Sequence, residues 1–262
     1  MAKSAKATIE QRKKELVFFL TRNHQASLAD LADALHVSPA TARRDVNSLL
    51  EDRTLLKCRN GQFALNEEIA LDANIFTRSS AHYQQKVAIA RCATQFIRDG
   101  EIIGANASSS VLELIKLLPQ FRDLTVVTNS LLAAPYLTSC LSMRLFSIGG
   151  SVYLPGLATV GELACEEIKK YTFDIAFSSA SALDTDFGLS ISEPHSVITE
   201  TAFLDRGVKR ILLLDSSKIG RRAFRWFYSL DRIDMVITDS LIDPAEAEKL
   251  RTHGIPLTIA EL

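Results

Sequence analysis

Between positions 9 and 50 apolar residues recur at helical spacing in three stretches, separated by polar punctuation. Ile9 to about Asn23 carries Leu16, Phe19 and Leu20 among lysines and arginines and predicts a first helix. Ser27-Leu28-Ala29-Asp30-Leu31-Ala32-Asp33-Ala34-Leu35 predicts a second. Ser38-Pro39-Ala40-Thr41-Ala42-Arg43-Arg44-Asp45-Val46, continued by Leu49-Leu50, predicts a third. Both later stretches open on a serine able to accept a hydrogen bond from a first-turn N–H, and Pro39 loses nothing by lacking one. His36-Val37 makes the turn between them. Leu55–Arg59 and Gln62–Leu65 read as two short strands around Asn60-Gly61. The sum is a winged helix-turn-helix over residues 1–66, followed by a polar, weakly periodic linker over 67–83.

From Gln84 the pattern changes. A helix is expected over roughly Lys86–Asp99, and then short apolar runs alternate with helical stretches. The strands are Glu101–Ala105, Leu124–Thr128, Met143–Ile148, Ile175–Ser179, Arg210–Leu214 and Met235–Thr238. The helices are Ser110–Leu118, Ser130–Leu137, Leu163–Lys170 and Ser196–Arg206. Such alternation predicts an α/β domain over residues 84–262, with a mostly parallel sheet covered by helices.

Composition sharpens this division. Apolar residues make up 47% of the 262, enough for a real core, and the net charge of −1 excludes a nonspecific polycation. Residues 1–60 hold eleven Lys/Arg against seven Asp/Glu, a net of +4, which leaves the remainder at −5. A basic head on an acidic body suits nucleic-acid binding by the head. Cys58, Cys92, Cys140 and Cys165 are too scattered for a zinc site or a disulfide framework. No apolar run is long enough to cross a bilayer and the first residues lack a signal core, so the expected compartment is the cytoplasm. Neither a cofactor nor a metal is expected.

A helix-turn-helix lays its second helix in the DNA major groove. Ser27, Ser38, Pro39, Ala40, Thr41, Arg43, Arg44 and Asn47 are therefore assigned to the DNA face, with Lys57 and Arg59 on the wing contacting the backbone. One of Arg43 and Arg44 is expected at a guanine edge and the other at a phosphate, while Asp45 orients an arginine. In a parallel sheet, ligands bind beyond the carboxyl ends of the strands. The residues there are Asn106, Ser108, Ser109 and Ser110; Thr128, Asn129 and Ser130; Gly149 and Gly150; and the run Asp215-Ser216-Ser217-Lys218. Four polar or glycine-rich loops at successive strand ends predict a pocket for a small anionic ligand.

These segments resemble the DeoR family of bacterial transcriptional regulators. The family's recognition segment is typically V-S-x-x-T-[IV]-R-R-D-[LI], here Val37 to Val46. Its sensing domain is matched by Asn106–Ser110 (usually D-x-[GS]-[ST]-T), Thr128-Asn129-Ser130, Gly149-Gly150 and Asp215–Lys218. The resemblance implies a body similar to ribose-5-phosphate isomerase and CoA transferases. It also implies a repressor of a carbohydrate operon, released from its double-stranded operator by a phosphorylated sugar. By resemblance Asp184 and Glu193 lie near the sugar; Lys218 is assigned to the phosphate, where an ammonium serves as a point charge. A homodimer or homotetramer is expected, because one head offers too few contacts for specificity. The alternatives are an activator, an effector-independent regulator, or a sugar-phosphate isomerase with a DNA-binding head; no enzymatic activity is expected. The chain departs from the family pattern at Asn106 (usually Asp), at the wing Arg59-Asn60-Gly61-Gln62 (commonly R-x-H-G-G-[AG]) and at Ala42 (usually larger).

Overall fold

The computed structural model describes residues 9, 12, 13, 15–17, 19, 20, 23, 25–51, 54–58, 60–65, 75–138 and 140–262. The chain divides into two compact units, Met1–Tyr83 and Gln84–Leu262.

In the first unit the described residues from 9 to 23 are helical. They are followed by β1 (Gln25–Ala26), α1 (Leu28–Ala34), α2 (Pro39–Glu51), β2 (Leu55–Lys57) and β3 (Phe63–Leu65). The strands form an antiparallel sheet in the order β1-β3-β2, so the hairpin gains a third strand from Gln25-Ala26 that the sequence pattern did not suggest. Leu16, Leu20, Ala26, Leu31, Val46, Leu49 and Leu55 make the core. Ser27 caps α1 in a capping box with Asp30. At the other end His36 takes a left-handed φ of 52°, His36 N–H bonds Asp33 O (3.1 Å) and Val37 N–H bonds Ala32 O (3.0 Å). This is a Schellman ending with histidine where glycine is usual, and it sets the turn into α2. Residues 75–80 of the segment read as a linker are helical, forming α3 (Ile75–Ser80) with Ile75 buried; residues 67–74 lie outside the described residues.

The second unit begins with α4 (Tyr83–Ala93), which ends earlier than its apolar pattern suggests and gives way to a 3-10 turn at Thr94–Phe96. Seven strands form one parallel sheet: β4 (Ile102–Ala105), β5 (Thr125–Thr128), β6 (Arg144–Ser147), β9 (Phe173–Ser178), β12 (Gly207–Leu213), β14 (Met235–Asp239) and β15 (Leu257–Ala260). Their order is β15-β14-β12-β9-β4-β5-β6. Between them lie β7 (Ser151–Tyr153) paired with β8 (Ala158–Val160), and a small sheet of β10 (Ala182–Asp184), β11 (Gly188–Ile191) and β13 (Arg225–Tyr228). The helices are α5 (Ser109–Ile115), α6 (Ala134–Leu137), α7 (Glu162–Ile168), α8 (Val197–Arg206) and α9 (Pro244–Thr252). The helix expected over Ser130–Leu137 is confined to α6.

Side chains alternate across the sheet, as strands covered on both faces require. Ile211 and Leu213 join one core with Ile103, Val126 and Ile237, whereas Leu212 and Leu214 join another with Val236, Leu204 and Leu250. Phe173 stacks on Phe203 at 5.7 Å between ring centroids. A Cβ on Gly104 would lie 2.3 Å from the Phe173 ring, so this position in β4 admits no side chain. The strands, all parallel, are added outward from the middle of the sheet, β4-β5-β6 toward one edge and β9-β12-β14-β15 toward the other. The reversal falls between β4 and β9, where an open α/β sheet forms its ligand crevice.

Candidate functional site

On α2, Ser38, Pro39, Ala40, Arg43, Arg44 and Asn47 are exposed, Thr41 is half-buried and Ala42, Val46 and Leu49 face the core. Positions 40, 43, 44 and 47 share one helical face, so the arginine pair stands on an exposed face of α2. Ser38 Oγ accepts from Thr41 N–H at 3.2 Å, which opens the helix as its sequence suggests. Arg43 and Arg44 form no ion pair among the described residues. The arginine oriented by Asp45 is Arg12: Nε donates to Oδ2 at 2.9 Å and Nη2 to Oδ1 at 3.3 Å. Asp45 is buried and holds the Arg12 guanidinium more firmly protonated through this hydrogen bond. Lys13 adds a second tie, to Ser48 Oγ at 2.6 Å. Ser27 is half-buried and occupied as a cap, Lys57 is exposed, and Arg59 lies outside the described residues.

In the second unit the strand-end residues converge at the reversal of strand order. Asn106 is 1% exposed; its N–H donates to Phe177 O at 3.2 Å, and its Nδ2 donates to Ser178 Oγ at 3.0 Å and to the carboxylate of Glu200. Asn129, equally buried, donates from Nδ2 to Thr159 O at 2.9 Å and accepts at its backbone carbonyl from Thr159 N–H. Thr128 Oγ1 accepts from Ser130 N–H, and Thr159 Oγ1 donates to Ile148 O at 2.7 Å. Ser108 caps α5 through Val111 N–H, and Ser109 and Ser110 are buried behind it. Within this cluster the side-chain oxygens of Asn106, Ser110, Asn129, Ser179 and Thr199 are buried without a hydrogen-bond partner in the protein. Buried polar atoms are nearly always paired, so several unpaired ones on neighbouring strand ends single this place out as a candidate site.

Gly149 and Gly150 follow β6 on the exposed rim; Gly150 has φ +142° and a Cβ there would meet Ala164 and the Val160 carbonyl at 3.0 Å. Lys218 Nζ donates to Ala180 O at 3.1 Å and lies 3.8 Å from the buried Asp215 carboxylate. Asp184 is engaged by Arg222 and by the N–H groups of Asp186 and Phe187, and Arg222 foremost holds its carboxyl below the usual range. Glu193 is pushed up by burial but pulled down further by hydrogen bonds from His195 and Tyr153, and so stays below its ordinary value. Among the described residues no hydrogen bond joins either acid to the Asn106 cluster.

Ser178, Ser179 and Glu200 are cluster members that the loop-by-loop reading missed. Ser178-Ser179 follows an apolar run just as Asn106 does. Glu200 is an acid on the inward face of α8, beside Thr199 and Phe203, and a charge on an apolar face is itself a signal.

Comparison with known proteins bears on both units. Residues 81–240, more than half the chain, match the DeoR C-terminal sensor domain. The chain belongs to the DeoR family. Residues 12–68 match the DeoR-like helix-turn-helix domain, and the protein is a helix-turn-helix transcriptional regulator of that family. Similar chains include the uncharacterized HTH-type transcriptional regulator YulB of Bacillus subtilis, 28% identical and covering 97% of this chain and 98% of its own. The HTH-type transcriptional regulators GlpR of Haloferax volcanii (28%, 94% and 95%) and UlaR of Salmonella arizonae (29%, 95% and 98%) are also similar. Among solved structures, a ribose-5-phosphate isomerase in complex with phospho-erythronic acid is 20% identical, covers 52% of this chain and 53% of its own, and has a TM-score of 0.39. The eIF2B delta of Chaetomium thermophilum is 16% identical, with coverages of 79% and 62% and a TM-score of 0.42. No helix among the described residues is long and apolar enough to cross a membrane.

Proposed function

We propose that this DeoR-family regulator acts in the cytoplasm as a repressor of genes for carbohydrate use, and leaves its operator when a phosphorylated sugar enters the strand-end cluster. The observation that carries the sensing role is the group of buried, unpartnered oxygens on Asn106, Ser110, Asn129 and Ser179 around the reversal of strand order. Hydroxyl groups of a sugar complement such acceptors, and Lys218 offers a positive charge for the phosphate. Thr128, Ser130, Gly149 and Gly150 border the same strand ends. Asp184 and Glu193, held as carboxylates by their own partners, are assigned to the sugar by family resemblance. Ligand binding shifts the head only by favouring one arrangement of the chain over another.

On the DNA side, Ser38, Pro39, Ala40, Thr41, Arg43, Arg44 and Asn47 read the major groove, with Ser27 at the backbone and Lys57 and Arg59 on the wing. Two or four copies supply paired half-sites. The exposed Val152, Leu154 and Leu163 offer apolar surface for that assembly. The protein turns over no sugar phosphate, and incubation with ribose 5-phosphate followed by product analysis checks this directly.

The decisive test is an Arg43→Ala/Arg44→Ala variant assayed on the gene's own upstream DNA. It loses sequence-specific binding while its melting temperature stays within about 1 °C of the parent, since exposed substitutions change stability little. Retained specific binding overturns the assignment of α2 as the reading helix. Release of the parent protein from the same DNA by a panel of sugar phosphates tests the sensing role, and a Lys218→Ala variant no longer responds.

A further inference from the structure

Asn106 and Asn129 share a pattern of polarity that their positions alone do not reveal. β4 and β5 are adjacent and in register, Ala105 opposite Thr128, so Asn106 and Asn129 stand side by side one step beyond the paired strand ends. That places them about 5 Å apart, the spacing of neighbouring strands. The orientation of each amide is forced by its partner. Nδ2 of Asn106 faces the Glu200 carboxylate and Nδ2 of Asn129 faces the Thr159 carbonyl, and both partners accept hydrogen bonds. In each case the amide nitrogen is committed to the protein and the amide oxygen is not: both Oδ1 atoms are buried and without a partner.

We propose that Asn106 and Asn129 are a pair of oriented acceptors that recognise two hydroxyl groups of the effector, so that this site selects a fully hydroxylated sugar over its deoxy analogue. The inference rests on the reading of the cluster as the effector site and adds what that site demands of its ligand. It also gives Asn106 a reason to be an amide. An aspartate there would set a second carboxylate against Glu200 and would leave Glu200 without the donor that Nδ2 supplies. The amide answers Glu200 with its nitrogen and presents its oxygen to the ligand. Asn106 is thus a specificity-determining residue, positioned by Glu200 and Ser178. A ligand lacking one of the two hydroxyls leaves a buried acceptor unpaired, which is how polar sites reject deoxy analogues strongly.

The test uses the full-length protein and calorimetric titration with ribose 5-phosphate, fructose 6-phosphate and glucose 6-phosphate, each beside its monodeoxy analogues, with inorganic phosphate as the control. For the tightest binder, removal of either of two particular hydroxyls is expected to weaken binding roughly 10–100-fold. Asn106→Ala and Asn129→Ala are expected to abolish that discrimination. Asn106→Asp loses binding, and Asn106→Asp combined with Glu200→Gln recovers it, because one acid again faces one amide. Operator binding without ligand reports that each variant folds, and the parent protein's preference stands as evidence even if a variant does not. Equal affinity for every deoxy analogue, as when an ordered water serves the two oxygens, overturns the acceptor pair while leaving the sugar-phosphate reading intact. Failure of every sugar phosphate to bind overturns both.

Discussion

Removing the carboxylate of Asp45 tests whether α2 is held in place by Arg12. The pair is bidentate, at 2.9 and 3.3 Å, with the Asp45 side chain 6% and the Arg12 side chain 20% exposed. Breaking a fully buried pair by deleting one partner costs about 3–5 kcal/mol, whereas an exposed pair contributes about 0–1 kcal/mol. Water still reaches Arg12, so the abandoned guanidinium is partly resolvated and the expected cost of Asp45→Asn is about 2 kcal/mol. In a domain of this size that lowers the melting temperature by about 10 °C. The single tryptophan, Trp226, lies in β13 of the sensor unit, so its fluorescence does not follow the head. Amide hydrogen exchange along α2, with circular dichroism beside it, is the suitable assay. Arg12→Met should cost a similar amount, and the double variant should cost less than the sum, with a coupling of about 1–2 kcal/mol. Strict additivity, or a single-variant cost below about 0.5 kcal/mol, would refute the idea that Asp45 acts through Arg12.

Three further outcomes follow from particular contacts. Gly104→Ala drives a methyl into the Phe173 ring and should destabilise the sensor unit by about 3 kcal/mol in urea unfolding followed by Trp226 fluorescence; Phe173→Leu in the same chain should recover part of the loss. His36→Gly relieves a left-handed backbone and should stabilise the head by about 1 kcal/mol, visible as slower exchange in α1 and α2. Tyr228, raised to about 12 from 10.0 by burial and its hydrogen bond to Asp205, favours the folded state in its protonated form. That contribution is complete below pH 10 and is lost as the pH rises through about 12, so urea midpoints should fall across this window in the parent and less in Tyr228→Phe.

Much of the fold was legible because its central strands carry apolar clusters and several helices open on a capping residue, as at Ser27, Ser38 and Ser108. β4, β5, β9, β12 and β14 are covered on both faces along much of their length, so each holds a short cluster of Ile, Leu, Val or Phe, such as Val126-Val127 in β5 and Ile211-Leu212-Leu213 in β12. β7, β8, β10 and β11 are three or four residues long and owe their form to pairing partners, which no local pattern encodes. The segment 130–137 looked helical, but Ser130 is bridged to Ala158 and Thr159 bonds back to Asn129, so tertiary pairing overrode propensity. In the site, Asn106 and Asn129 were readable as polar residues after apolar runs. Glu200 is 94 residues from its partner, and only the packing of α8 against the sheet brings the two together.

The reversal between β4 and β9 has a temporal meaning as well. Asn106 is completed by Ser178, 72 residues on, and by Glu200, 94 residues on. A ribosome that has finished β4, β5 and β6 has made one wall of the crevice and none of the other. On the proposed reading of the Asn106 cluster as the effector site, competence to sense arrives late in synthesis, only after α8 has followed β9. A chain broken off before α8 carries the helix-turn-helix segment in full but lacks Glu200, and on the proposed reading it does not answer the effector.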